Sequence, residues 1–173
     1  MKNLFLWQFF GFVFACALGT ALHFLYSFTG FLPLTVVSAV NESTFEHMKI
    51  LYFPMLFFAL LQSFFFKKQV KNFWLIKLFG TLSGVLSVPV LFYTLSGVFG
   101  VLPAPVNVLI FFISAGVGYS LEYLLFSKKV AFNAHLLPLF AFILLTVFFV
   151  VCTFFPPQIP LFLDPVTGGY GIL

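Results

Sequence analysis

Residues 51–92 read LYFPMLFFALLQSFFFKKQVKNFWLIKLFGTLSGVLSVPVLF, two long apolar runs with a knot of lysines between them. Each run approaches or exceeds the roughly 20 residues that a helix needs to cross the hydrocarbon of a bilayer. Lys67, Lys68 and Lys71 stand in the knot, and Lys77 lies just inside the second run. Lysines gather in cytoplasmic loops, so the stretch predicts a transmembrane helical hairpin whose turn faces the cytoplasm.

The same test applied outward gives five spanning segments, at about 4–27, 43–66, 73–95, 105–126 and 130–155. Pro156-Pro157 closes the last, because proline cannot donate to the helical ladder and restricts the residue before it. Composition agrees. Of 173 residues, 62% are apolar and 7% charged, whereas a soluble domain carries about 25% charged residues. With a mean hydropathy of +1.17, the chain cannot coat itself for water, and lipid must cover most of its surface. Thirty phenylalanines and the lack of strand-like alternation argue against a membrane barrel. The expected fold is an all-α integral membrane protein, a single membrane domain over 1–173.

Lysine placement sets the expected orientation. Lys2, Lys67, Lys68, Lys71, Lys77, Lys128 and Lys129 share one side, and only Lys49 lies opposite. The N-terminus is then cytoplasmic, and the connection 28–42 and the tail 156–173 are extracytoplasmic, in a multi-pass protein of the cell membrane. The tail, with apolar Ile159, Leu161, Phe162 and Leu163, is expected to fold back over the outer mouth of the bundle. Lys2 and the run after it resemble a signal peptide, but the run continues past any cleavage point and Phe14 is too large for a lipoprotein box, so cleavage is not expected. The net charge of +4 lines no face, which disfavours nucleic acid. Cys16 and Cys152 sit in apolar runs and read as packing residues.

Gly80-x-x-x-Gly84 and Ser114-x-x-x-Gly118 predict close helix contacts. No repeat of 20–50 residues is present, so an inverted-repeat transporter within one chain is not expected.

Polar residues at membrane depth are costly and often functional. On the first helix Gly19, Thr20, His23, Tyr26 and Ser27 share a face expected to turn into the bundle. The densest polar segment is Asn41-Glu42-Ser43-Thr44-Phe45-Glu46-His47-Met48-Lys49. Ser43 and Glu46 form a capping box for the second helix, and Glu46 can pair with Lys49 at i, i+3. Asn41-Glu42-Ser43 also matches a glycosylation sequon, a pattern common by chance. In the tail, Asp164-Pro165 followed by Gly168-Gly169 predicts a turn. On the lysine side, Glu122 is expected to snorkel toward Lys128, and His135 to begin the fifth helix; both read as structural.

Two histidines with carboxylates on one side suit a divalent metal such as zinc, or acid/base work. The residues expected to act so are His23, His47, Glu46 and Asp164, as metal ligands or catalytic groups. Asn41, Glu42, Ser43, Lys49 and Tyr170 are expected to contact a ligand. No H-E-x-x-H, paired cysteines or nucleophile elbow fixes a reaction.

The segment 41–49 and the tail Phe155-Pro156-Pro157…Ile159-Pro160…Phe162…Asp164-Pro165-Val166-Thr167-Gly168-Gly169-Tyr170-Gly171-Ile172, with Gly19-Thr20…His23-Phe24, resemble a family of small bacterial integral membrane proteins of unknown function. The likeness runs the full length and implies a shared five-helix fold. It leads one to expect Trp where Phe45 stands, a swap that keeps an interfacial aromatic. It brings no activity.

The leading expectation is an extracytoplasmic polar pocket that binds a small polar ligand or metal, or acts on a lipid headgroup. The alternative is a small transporter or channel subunit, with a polar path through Thr20, Cys16, Ser83, Ser87 and Glu122, needing a second copy or a membrane partner. A third is an accessory protein whose outer motifs meet another chain.

Overall fold

The computed structural model describes residues 3–128 and 136–172. Five long helices fill it: α1 (Leu4–Thr29), α2 (Thr44–Phe66), α3 (Phe73–Phe99), α4 (Ala104–Ser127) and α5 (Leu137–Phe154). Each is long and apolar enough to cross a membrane, and no strand occurs among the described residues. Short 3-10 turns at Leu32–Val36 and Pro160–Phe162 shape the connection before α2 and the tail. Lys2, Lys129, His135 and the expected start of the fifth helix at 130 lie outside the described residues.

α2 is the central post, packed against α1 and α3. Its Tyr52 hydroxyl donates to the Phe142 carbonyl at 2.8 Å, and its ring stacks on Phe149 of α5 at 4.8 Å between centroids. In lipid, apolar side chains gain little from leaving the solvent, so close packing and internal hydrogen bonds hold helices together. The α3–α4 contact shows this directly. A Cβ on Gly118 would stand 2.8 Å from the Gly80 carbonyl oxygen, and one on Gly84 would stand 3.0 Å from that of Ser114. The two small-residue patterns therefore pack on each other.

The same contact buries a charge pair. Lys77 and Glu122, both fully buried, pair with one another, and the Lys77 ammonium also donates to Gln62 Oε1 at 3.0 Å. The ammonium sits over the Tyr119 ring, 5.3 Å from its centroid. This corrects one expectation: Glu122 does not reach for Lys128 but pairs with Lys77, one of the lysines read as marking the cytoplasmic side. Both point into the α3–α4 seam, where Gly80 leaves room for the Glu122 stem. Lys67, Lys68, Lys71 and Lys128 remain exposed at this end.

At the opposite end the tail turns back onto the bundle. The Phe162 ring packs tilted against that of Phe45, centroids 4.4 Å apart, Leu163 and Tyr170 form a β-bridge, and the Asn41 side-chain amide donates to the Gly171 carbonyl at 2.9 Å. Gly171 has φ +71 and packs beneath Pro156, a left-handed conformation that glycine adopts without strain.

Candidate metal centre

The entry to α2 builds the site. Asn41 Oδ1 accepts from the Ser43 amide at 2.9 Å, and Ser43 Oγ accepts from the Glu46 amide at 3.3 Å. Ser43 is thus a true N-cap, but the box is half formed: the Asn41 side chain, not Glu46, holds the Ser43 amide. Fixed this way, residues 41–43 put Glu42 at the mouth and send His47 out from the first turn of α2.

His47 Nδ1 lies 2.9 Å from the Ser43 carbonyl. A carbonyl only accepts, so Nδ1 carries the hydrogen and Nε2 keeps its lone pair. A backbone carbonyl that fixes the tautomer in this way is the usual support of a metal-binding histidine. His23 reaches the same spot from α1, its ring centroid 5.3 Å from that of His47.

Glu42 stands between the two rings. Its Oε1 is 3.5 Å from His23 Nε2, and its Oε2 is 3.8 Å from His47 Nε2. One donor atom from each of the three lies within 4.8 Å of the others. These gaps are too long for hydrogen bonds, which close at about 2.7–3.2 Å. They approach the edge of a coordination tetrahedron, about 3.4 Å for nitrogen and oxygen ligands held about 2.1 Å from zinc. The histidine side chains are 21% exposed and the Glu42 side chain 49%, so the cluster opens outward.

The structure thus brings His23 and His47 together with Glu42, and does not bring Glu46 or Asp164 to them. Glu46 turns inward, 2% exposed. Its carboxylate accepts from the Val40 amide at 3.0 Å and pairs with the Lys49 ammonium at 2.6 Å. Lys49 also donates to the Thr35 carbonyl at 2.8 Å and to Thr153 Oγ1 at 2.9 Å. All three ammonium hydrogens are used, tying α2 to α5 and to the connection before it. Asp164 knots the tail: its carboxylate accepts from the Val166 amide at 3.0 Å and the Thr167 hydroxyl at 2.6 Å. Tyr170 lies in that knot, half-buried.

Of the polar face expected on α1, His23 turns to the cluster and Gly19 packs beneath Phe111. Thr20 and Ser27 are exposed instead, and donate to the carbonyls of Cys16 and Phe24, each at 2.8 Å. Ser83 and Ser87 likewise donate within α3, to the carbonyls of Gly80 and Ser83.

Glu42 was legible as a contact residue but not as the carboxylate between the histidines. The signal available was the cap itself: a carboxylate at the third position of a capped helix is drawn to the backbone, while the residue before the cap is free to point away.

The model of a family of unknown function, DUF6512, matches residues 1–172. The chain belongs to this family. No curated protein and no solved structure matches the chain. For this DUF6512 member the functional reading therefore rests on the site.

Proposed function

We propose that this DUF6512 protein binds one divalent transition-metal ion, zinc by preference, through His23 Nε2, His47 Nε2 and the Glu42 carboxylate. The observation that carries the reading is the gathering of one donor atom each from His23, Glu42 and His47 within 4.8 Å of one another, with the His47 tautomer fixed by Ser43. Two imidazoles and a carboxylate suit zinc better than magnesium or calcium, which favour all-oxygen shells. Three protein ligands leave a fourth position for water or a ligand atom, the arrangement of reactive rather than closed zinc sites. A zinc ion so held supplies a Lewis acid for phosphoryl or carbonyl oxygens.

The exposed lysines of the other end argue that the centre faces away from the cytoplasm. This reading makes the protein a multi-pass component of the cell membrane with its metal at the outer interface. Asn41 supports the centre from behind, holding both the cap and the tail.

Elemental analysis of the purified chain after zinc loading and dialysis tests it. One equivalent per chain is expected, falling to background in His23→Ala and in His47→Ala. Wild-type protein that retains no zinc, or alanine variants that retain as much, would overturn the reading.

A further inference from the structure

A run of hydrogen bonds joins the C-terminal tail to two of the three proposed ligands. The Gly171 carbonyl accepts from Asn41 Nδ2, the Asn41 Oδ1 accepts from the Ser43 amide, and the Ser43 carbonyl accepts from His47 Nδ1, each at 2.9 Å. Glu42 lies between Asn41 and Ser43, so its backbone is pinned on both sides. One partner of the Asn41 side chain is a carbonyl and the other an N–H, so only one orientation of its amide satisfies both. Ser43 and Gly171 are buried, where water competes little for such bonds.

His23 stands apart from this run. It comes from α1, and the Leu22 carbonyl beside it accepts from the Ala39 amide at 3.2 Å. Its Nδ1 is buried and meets no partner among the described residues. Of the two imidazoles, then, His47 is the one fixed through its second nitrogen, and that support leads back through Asn41 to the tail.

We propose that the tail is a strap that presets the metal centre: docked, with the Gly171 carbonyl on Asn41, it holds Glu42 and His47 opposite His23, and lifted, it releases them. The inference rests on the metal-binding reading and gives that site its control. Whatever factor docking adds to zinc affinity, zinc adds to docking, because coupling between two binding events is reciprocal.

The tail is built to lift as one piece. Leu163 and Tyr170 form a β-bridge, the Asp164 amide donates to the Gly169 carbonyl at 3.0 Å, and the Gly168 amide donates to the Asp164 carbonyl at 2.9 Å. This closed turn meets the bundle on either side, through the Phe162 ring against Phe45 and through Gly171 beneath Pro156. Gly171 fits there because it lacks a Cβ: its φ is +71, and a Cβ would stand 3.0 Å from Pro156 Cγ. A movement of the tail therefore reaches the metal through one side-chain amide.

Two readouts on the full chain in detergent test the strap. Limited proteolysis with chymotrypsin reads the lifted tail: Phe162 is 3% exposed, so cleavage after it needs the tail open, and its rate follows the open population. Zinc-loaded and zinc-stripped protein are compared, with His47→Ala as the control that lacks the centre. Zinc titration of Gly171→Val is the second readout, since a β-branched residue at positive φ is strained and its side chain meets Pro156. Asn41→Asp keeps an acceptor for the Ser43 amide but sets a second oxygen against the Gly171 carbonyl. Its added negative charge by itself favours a cation, so weaker zinc binding there reports the lost strap; it decides the matter if Gly171→Val does not fold.

Zinc should slow cleavage after Phe162 about tenfold in the wild type and not in His47→Ala. Gly171→Val and Asn41→Asp should each bind one zinc about tenfold more weakly, the scale on which outer supports of a metal ligand act. A tail that only covers the bundle would lower the Tm of the zinc-free variants and leave their zinc affinity alone. Cleavage indifferent to zinc in the wild type, equal protection in His47→Ala, or undiminished zinc affinity in Gly171→Val would overturn the strap and leave the metal reading standing. A wild type that binds no zinc would bring down both.

Discussion

Glu42 and Glu46 are four residues apart and chemically alike, yet the structure gives them opposite work, and a pair of isosteric changes separates them. Glu46→Gln keeps shape and one acceptor oxygen but leaves the Lys49 ammonium fully buried without a counter-charge. Removing one member of a buried ion pair costs about 3–5 kcal/mol. For a chain of this size each kcal/mol is worth about 2–4 °C, so Tm should fall by about 6–20 °C. Glu42→Gln changes a half-exposed side chain with no hydrogen bond to protein donors, and surface changes of that kind stay within about 0.5 kcal/mol. Its Tm without metal should hardly move. Zinc affinity should do the reverse, falling in Glu42→Gln and holding in Glu46→Gln below its own Tm. Thermal unfolding followed by tryptophan fluorescence, with zinc titration of both variants, measures all four quantities. A Glu46→Gln protein of native Tm that has lost its zinc would refute this division of labour.

Two further outcomes follow from the geometry. Lys77→Met should destabilise the chain by about 3–5 kcal/mol by stranding Glu122, whereas Lys77→Met with Glu122→Leu should recover most of the loss, because well-packed apolar residues replace a buried pair at little cost; denaturation midpoints of the three proteins check this. Imidazole ligates metal only when neutral, and metal binding releases its protons, so acidification should release the bound ion. Equilibrium dialysis against pH reads this, with a steeper slope for the wild type than for a variant lacking one histidine.

The five helices could be read directly from the sequence, because a span of 20 residues almost free of charge has few other uses. That Gly80-Gly84 and Ser114-Gly118 would each make a close helix contact could be read, because small residues are the means by which helices approach in lipid; that the two patterns meet each other came only from the fold. The direction in which each polar side chain points was much harder to read. In a soluble helix the apolar stripe marks the buried face, but a spanning helix is apolar toward lipid and toward its neighbours alike. Thr20 and His23 therefore looked like one inward stripe, although only His23 turns to the cluster. Lys77 was read with its neighbouring lysines as a marker of the cytoplasmic side, and only its partner 45 residues later reveals that it is buried in an ion pair. Between Glu42 and Glu46 the choice rested on where the helix began, to the residue. Ser43 as N-cap puts Glu46 on the inner side and leaves Glu42 outside the helix.

The ion pair across α3 and α4 also bears on how the protein enters its membrane. A charged side chain at the middle of a lone helix raises the cost of insertion by about 2.5–3.5 kcal/mol, less near the ends, and here each of two successive helices brings one. During synthesis Lys77 emerges 45 residues ahead of Glu122, so its counter-charge is not available to α3 until α4 has followed. The stable passenger is the α3–α4 hairpin, whose opposite charges and small-residue seam meet in the same step. The buried pair thus ties the stability of α3 in lipid to the presence of α4 as well as to its own hydropathy.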